Sequence, residues 1–184
     1  LCNESGGVQD QIAASFGGMN RINFNAEGYT VNPVIISPER KKLLNRNLML
    51  FFTGFSRFSS DIQVAAEKNL KSKQNQLLEM LSLVDDAEKI LTSKTDLEEF
   101  GRLLDYTWQL KRGITDKVST DSIDAVYSRA LQAGATGGKL LGAGGGGFLL
   151  FYVDPDKQEN VRKALENLLY VPFEFENGGT RVIQ

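Results

Sequence analysis

The residues from Gly137 to Gly147, Gly-Gly-Lys-Leu-Leu-Gly-Ala-Gly-Gly-Gly-Gly, lead directly into the apolar run Phe148-Leu149-Leu150-Phe151-Tyr152-Val153. A flexible linker would mix glycine with serine and would not feed six strand-forming side chains. Between a helix end and a buried strand, bare backbone can approach a ligand closely, and successive N–H groups can form an anion-binding nest. A glycine-rich tight turn with only a packing role is an equally weighted reading of the run alone. No Gly-Lys-Ser/Thr closes it as in a P-loop, and a strand follows where a dinucleotide fingerprint needs a helix. The chain has no histidine and a single cysteine, Cys2. An internal disulfide, a Cys/His zinc set and a histidine-based triad are therefore excluded. Chemistry here must use carboxylates, lysine, arginine, hydroxyls or backbone.

The elements that must position such groups belong to an ordinary globular composition. Of 184 residues 41% are hydrophobic and 24% charged, enough for one good core and a subsidiary piece. The formal net charge is −2 with both signs interspersed, so no basic stripe points to nucleic acid. No apolar run reaches the roughly 18 residues of a membrane span, and no signal peptide opens the chain, which makes a cytoplasmic location the expectation. Leu1-Cys2-Asn3-Glu4 lacks an initiator methionine and runs at once into a glycine-marked motif, so the sequence reads as a fragment of something longer.

Periodicity supplies the element order. Val8 to Phe16 predicts a short helix closed by Gly17-Gly18, with Asp10 in its first turn. Met19 to Phe24 and Tyr29 to Ile36 predict a hairpin around Asn25 to Gly28, and Pro33 and Pro38 push its end toward an edge. Asn47 to Thr53 predicts a buried strand ending at Gly54. A long helix follows, with Leu70, Leu77, Leu81, Val84 and Leu91 on one face. Thr95-Asp96-Leu97-Glu98 has capping-box spacing before a helix carrying Leu97, Phe100, Leu104, Trp108 and Lys111. A third helix near Ser119 carries Ile123, Val126, Ala130 and Leu131. After the strand at Phe148, Asp154-Pro155 reads as the start of a helix with Val161, Ala164, Leu165 and Leu168 inside. Val171 to Phe175 and Thr180 to Ile183 read as closing strands around Asn177-Gly178-Gly179. The class is α+β: a mostly antiparallel sheet with helices on one face.

The segment from Gly137 to Phe148 resembles the third signature motif of the GHMP superfamily (galactokinase, homoserine kinase, mevalonate kinase and phosphomevalonate kinase). Gly7-Val8-Gln9-Asp10-Gln11 looks like that superfamily's Gly-x-x-Asp segment. Within it the chain resembles the bacterial D-glycero-D-manno-heptose 7-phosphate kinases, through Gly7 to Gly18, Thr53-Gly54-x-x-Arg57-x-Ser59, Trp108-x-x-Lys111, Val171-Pro172-Phe173 and Gly179 to Ile183. Leu141 and Phe148 stand where many relatives have Ser or Thr and Cys, which disfavours mevalonate and homoserine kinases. The superfamily's amino-terminal phosphate loop, Pro-x-x-x-Gly-Leu-Gly-Ser-Ser-Ala, is absent from this sequence. The resemblance implies a ferredoxin-like carboxy-terminal domain over residues 39–184. It makes residues 1–38 the tail end of the amino-terminal domain, its helix and hairpin.

It also implies a reaction: transfer of the γ-phosphoryl of ATP, with Mg2+, to the anomeric hydroxyl of a heptose 7-phosphate. Such transfer needs positioning, charge neutralisation and a carboxylate to accept the hydroxyl proton. Asp10 takes that last role by resemblance; taken alone it reads as a first-turn acid complementing the helix dipole. Gly142, Ala143, Gly144, Gly145, Gly146 and Gly147 would close over the phosphoryl end. Lys139 could neutralise phosphate or lie solvated at an edge. Arg57, beside Ser56, Ser59 and Ser60, suits a sugar phosphate. Lys111 could contact substrate or simply favour its helix terminus. ATP and the sugar phosphate are the expected partners, together with the missing amino-terminal half and no nucleic acid or membrane; a homodimer stays open. A fucose- or galactose-type sugar 1-kinase is the alternative enzyme, and a non-catalytic α+β anion-binding module is the alternative outside enzymes.

Overall fold

The computed structural model describes residues 8–54, 72–116, 118–142 and 144–183. Helix α1 (Gln9–Phe16) leads to the hairpin of β1 (Asn20–Asn25) and β2 (Gly28–Pro33), whose strands pair antiparallel from Asn20 opposite Pro33 to Asn25 opposite Gly28. Where the sequence reading had only an edge turn, α2 (Pro38–Asn47) forms. Its start combines local signals that act together: the Ser37 hydroxyl accepts from the Arg40 N–H at 3.2 Å, Pro38 opens the first turn, and Glu39 faces the helix dipole.

Strand β3 (Leu48–Phe52) follows at once. Then come α3 (Gln74–Thr92), α4 (Glu98–Arg112), α5 (Asp121–Gln132), β4 (Ala135–Leu140), β5 (Phe148–Val153), α6 (Gln158–Ala164) and β6 (Leu169–Tyr170). The four strands lie in the order β4-β5-β3-β6 with every pair antiparallel, which is the strand order of a split β-α-β fold of ferredoxin type.

Period-2 alternation divides the sheet's side chains between two cores. Met49, Phe51, Leu149, Phe151 and Val153 pack with Trp108 of α4, Ile123 and Val126 of α5, and Val161 of α6. Leu48 and Tyr152 point the other way, into a cluster with Leu44 of α2, Leu91 of α3, and Leu97 and Leu104. The α+β class and the antiparallel sheet therefore hold, and the structure extends the expected helical layer to the second face. Fully burying one such Leu or Phe contributes about 1.5–3 kcal/mol.

Five local expectations are corrected. Gly137 and Gly138 are not part of a loop after a helix; they sit in β4, and the glycine loop is a strand-to-strand connection. Side chains are excluded there because a Cβ on Gly137 would lie 2.1 Å from the Gly101 carbonyl oxygen, so bare backbone lets α4 lie directly on the strand. The apolar face of α3 is rotated: Leu81 and Val84 are exposed at 67% and 41%, while Met80, Leu83, Ala87 and Ile90 turn inward toward Leu91. Thr95 does not cap α4. It is engaged by the Ser93 hydroxyl, and Asp96 Oδ1 accepts from the Glu98 N–H at 3.0 Å instead. Asp154-Pro155 opens a turn closed by Lys157 N–H to Asp154 O at 2.9 Å, and α6 starts only at Gln158. Finally, the closing strands reduce to Leu169–Tyr170. Residues 171–183 run irregularly, held by the Asn45 side chain, which donates to Phe173 O and accepts from Phe175 N–H, both at 3.0 Å.

Candidate functional site

The β4–β5 connection is built from backbone and not from side chains: Gly142 is exposed, Gly144 and Gly145 are buried, and Gly146 and Gly147 are half-buried. Leu141 N–H donates to Phe148 O at 2.8 Å and closes the hairpin. Gly142, Gly144, Gly145 and Gly147 have φ of +85°, +125°, +72° and +106°, a region where side chains are strained. Gly144 is doubly constrained, since a Cβ there would lie 2.8 Å from Val118 O.

Two neighbours lock the loop in place. Thr53, buried at the end of β3, donates its N–H to Gly147 O at 2.9 Å, and its hydroxyl lies 3.0 Å from that oxygen and 3.1 Å from Gly147 N. Gly145 N–H donates to Val118 O at 3.0 Å. The N–H groups of Gly142, Gly144 and Gly146 make no hydrogen bond among the described residues. A loop with fixed curvature and unpaired donors is the arrangement that accepts an anion.

Two lysines adjoin it. Lys111, in the last turn of α4, donates from Nζ to Gly142 O at 2.5 Å. Burial lowers its ammonium to about 8, and the positive charge of Lys139 pushes the same way. Lys139 is half-buried on β4 and is also lowered by burial. Among the described residues neither lysine has a carboxylate partner, and the Lys139 ammonium has no hydrogen-bond partner. Nearby carboxylates are committed elsewhere. Asp105 accepts from the Tyr127 hydroxyl at 2.6 Å and from Gln109 at 3.1 Å; Asp124 accepts from Arg112 and from Ser119, both at 2.6 Å. Burial first and the Asp105 contact second hold the Tyr127 phenol far above its usual range, so it stays a donor; it also accepts from Gly138 N–H at 3.1 Å and fixes β4 against α5.

The structure thus brings together Lys111, Lys139 and the glycine loop. Asp10 stands apart, exposed in the first turn of α1, with no hydrogen bond or ion pair among the described residues. Arg57 and Ala143 lie outside the described residues. Among the described residues no group of three or more acidic or cysteine side chains could hold a metal ion, and no helix is long and apolar enough to cross a membrane.

The GHMP kinases C terminal family matches residues 83–171, from within α3 through the glycine loop and β6. This chain carries a GHMP kinase C-terminal domain. The chain is 36% identical over 163 residues to D-glycero-alpha-D-manno-heptose 7-phosphate kinase of Campylobacter jejuni, covering 87% of this chain and 48% of that protein. It therefore spans about half of that relative's length. It is 25% identical over 174 residues to the bifunctional fucokinase/GDP-fucose pyrophosphorylase of Arabidopsis thaliana, across 90% of this chain and 16% of that protein. Among solved structures it superposes on a D-glycero-D-manno-heptose 1-phosphate kinase from Bacteroides thetaiotaomicron with a TM-score of 0.67 and 28% identity, over 98% of this chain and 50% of that one. The L. major mevalonate kinase, at TM-score 0.70 and 19% identity over 94% of this chain and 53% of that one, shares the fold.

Two supports of the glycine loop, and one of α1, carry no readable signal in the sequence. Thr53 stands within the Thr53-Gly54-x-x-Arg57-x-Ser59 motif, yet its lock on Gly147 joins residues 94 positions apart in the chain. The Val118 carbonyl that receives the loop carries no side-chain signal at all. Gly178-Gly179 read as a hairpin turn, whereas it packs beneath α1: Thr180 N–H donates to Ala14 O at 2.9 Å and Gly18 N–H to Glu176 O at 3.0 Å.

Proposed function

We propose that this chain is the carboxy-terminal part of an ATP-dependent sugar kinase acting on the anomeric hydroxyl of D-glycero-D-manno-heptose 7-phosphate, in the cytoplasm. The observation that carries this reading is the locked glycine loop with two uncompensated lysines, in a chain 36% identical to a heptose 7-phosphate kinase over 87% of its length. In this reading residues 1–38 close the amino-terminal domain and residues 39–184 form the carboxy-terminal one. ATP's phosphoryl chain is held mainly by the preceding half, with the β4–β5 loop covering it. Asp10 accepts the proton of the sugar's anomeric hydroxyl as the new O–P bond forms and ADP departs. Arg57, Lys111 and Lys139 are the cations available to the acceptor. Mg2+ belongs to the reading, where it would neutralise charge on the ATP phosphates; the described residues offer it no cluster of ligands.

The test is the intact kinase with ATP and heptose 7-phosphate, fucose or galactose, the product read by 31P NMR. A new phosphate ester at the anomeric carbon of heptose 7-phosphate is the expected result. Preference for an unphosphorylated sugar would overturn the heptose assignment. The fucose-type alternative would then stand, and the 25% identity to a fucokinase over 90% of the chain already favours it as the second reading.

A further inference from the structure

Buried or half-buried lysines are normally paired, because removing an ammonium from water without a counterion is costly. The two lysines here depart from that pattern on the same side of the same loop. Lys111 reaches only a carbonyl, Gly142 O at 2.5 Å, which leaves its full positive charge unneutralised. Lys139 stands on β4 opposite Leu150 of β5, two residues before the loop begins, and its ammonium has no hydrogen-bond or ion-pair partner among the described residues. The Lys139 charge lies close enough to add to the burial that lowers the Lys111 ammonium, while Asp105 is held by Tyr127 and Gln109 and Asp124 by Arg112 and Ser119. Two like charges kept close without a carboxylate between them match a dianion of small radius.

We propose that Lys111 and Lys139 together form a receptor for a phosphate-monoester dianion, with the Gly142 carbonyl orienting the Lys111 ammonium at its mouth. The charge count fits: a phosphate monoester carries about −1.5 to −2 at neutral pH and accepts through three oxygens. The unpaired N–H groups of the adjoining glycines supply further donors, and the loop holds the Lys111 ammonium through the Gly142 carbonyl. The proposal rests on the sugar-kinase reading only for the source of the phosphate. That source is either the acceptor's own phosphate, remote from its reacting hydroxyl, or the terminal phosphate of the nucleotide.

Two experiments test it. In the intact kinase, Lys111→Met, Lys139→Met and the double variant are assayed for KM toward heptose 7-phosphate, free heptose and ATP. The receptor predicts that each single variant raises one phosphate-dependent KM by on the order of tenfold to a hundredfold. The double variant should cost less than the product of the singles, because both hold one ligand. A rise confined to heptose 7-phosphate, with free heptose unmoved, assigns the acceptor's phosphate; a rise confined to ATP assigns the nucleotide. Equal effects on phosphorylated and free sugar, or KM values all within twofold of wild type, overturn the receptor. The second experiment titrates inorganic phosphate into 13C-dimethyl-lysine protein and follows the two lysine methyl signals, assigned by their loss in the variants. Both should shift together and titrate at higher pH when phosphate is bound; no response overturns the receptor. A wild-type enzyme without activity on any of these sugars would bring down the kinase reading, and the phosphate titration would still decide the receptor.

Discussion

Replacing Gly179 by alanine should slow the reaction from a place that touches neither substrate nor any charged group. The tail passes so closely beneath α1 that a Cβ on Gly179 would lie 1.9 Å from Ser15 O, where real Cβ atoms essentially never come within 3.0 Å. Gly179 does not occupy the left-handed region, so alanine fits its backbone and the perturbation is purely steric. Either the tail or α1 must then retreat by about 1.1 Å, the gap between those two distances. The tail resists, being tied to Asn45 of α2 through Phe173 and Phe175. Helix α1 therefore shifts, and Asp10 shifts with it. Misplacement of a reacting group by about 1 Å costs on the order of a hundredfold in kcat. Overpacking of this kind also lowers stability by about 1–3 kcal/mol, a fall in Tm of roughly 3–9 °C for a chain of this size. The assay is kcat of the intact kinase well below its Tm, beside a thermal melt, for Gly179→Ala, Asp10→Asn and the double variant. If Gly179 acts through Asp10, the double variant is no slower than Asp10→Asn alone. A melt that falls as expected with kcat retained within about twofold would refute the reasoning and detach α1 from the chemistry.

Three further outcomes are expected. Asp10→Asn should lower kcat by about a hundredfold or more with little change in KM, as loss of a proton acceptor in the transition state requires; near-normal turnover would return Asp10 to a helix-dipole role. Gly144→Ala should damage turnover while removing no functional group, because the new Cβ meets Val118 O at 2.8 Å at a φ of +125°; unchanged kinetics would make the loop a packing turn. Burial places the Lys111 ammonium at about 8, so it is mostly charged at pH 7 and mostly neutral at pH 9. The phosphate-dependent KM should rise through that interval, by up to about tenfold per pH unit once above 8. The same lowering makes the sign for stability opposite: the unfolded chain binds the extra proton between pH 8 and the ordinary lysine value of 10.5, so Lys111 makes the fold more stable as pH rises across that window. Lys111→Met should abolish this contribution in melts recorded at pH 7.5 and 10.

Much of the fold was legible because it rests on local signals. The helix carrying Leu97, Leu104 and Trp108 has one dominant apolar stripe, and β3 and β5 are short, continuous and β-rich, so each could be read without knowing its neighbour. The errors fall where two local rules competed. Ser37-Pro38-Glu39 satisfies both a turn and a helix start, and what decides for a helix is the burial of Leu44 at 0% exposure, a tertiary fact. The α3 segment carries apolar residues at 77, 78, 80, 81, 83, 84, 87, 90 and 91, which permit more than one inward face. Only packing on α4, together with Arg21 bridging Asp85 at 2.6 Å and Glu88 at 2.8 Å, selects the rotation.

The candidate site was legible to the extent that it is made of glycine, and hidden to the extent that it is made of distance. Consecutive glycines announce backbone that must come close to something, and two pairs among the described residues do so against a helix, through Gly137 on α4 and Gly179 on α1. In neither case does the sequence say against what. That answer decides function, since the first pair lays β4 under the helix that ends in Lys111 and so brings Lys111 and Lys139 to the same loop. The second pair ties the helix bearing Asp10 to the far end of the chain. At the second contact the approach leaves its trace on the side that gives up its Cβ, while its partner, Ser15 O, is a carbonyl; at the first the partner is itself a glycine, Gly101, whose Cβ would meet Tyr152 at 2.9 Å. Pairing such glycine runs with carbonyls of helices is therefore a problem of topology. In this fold the strand order β4-β5-β3-β6 is what fixes which helix crosses which strand.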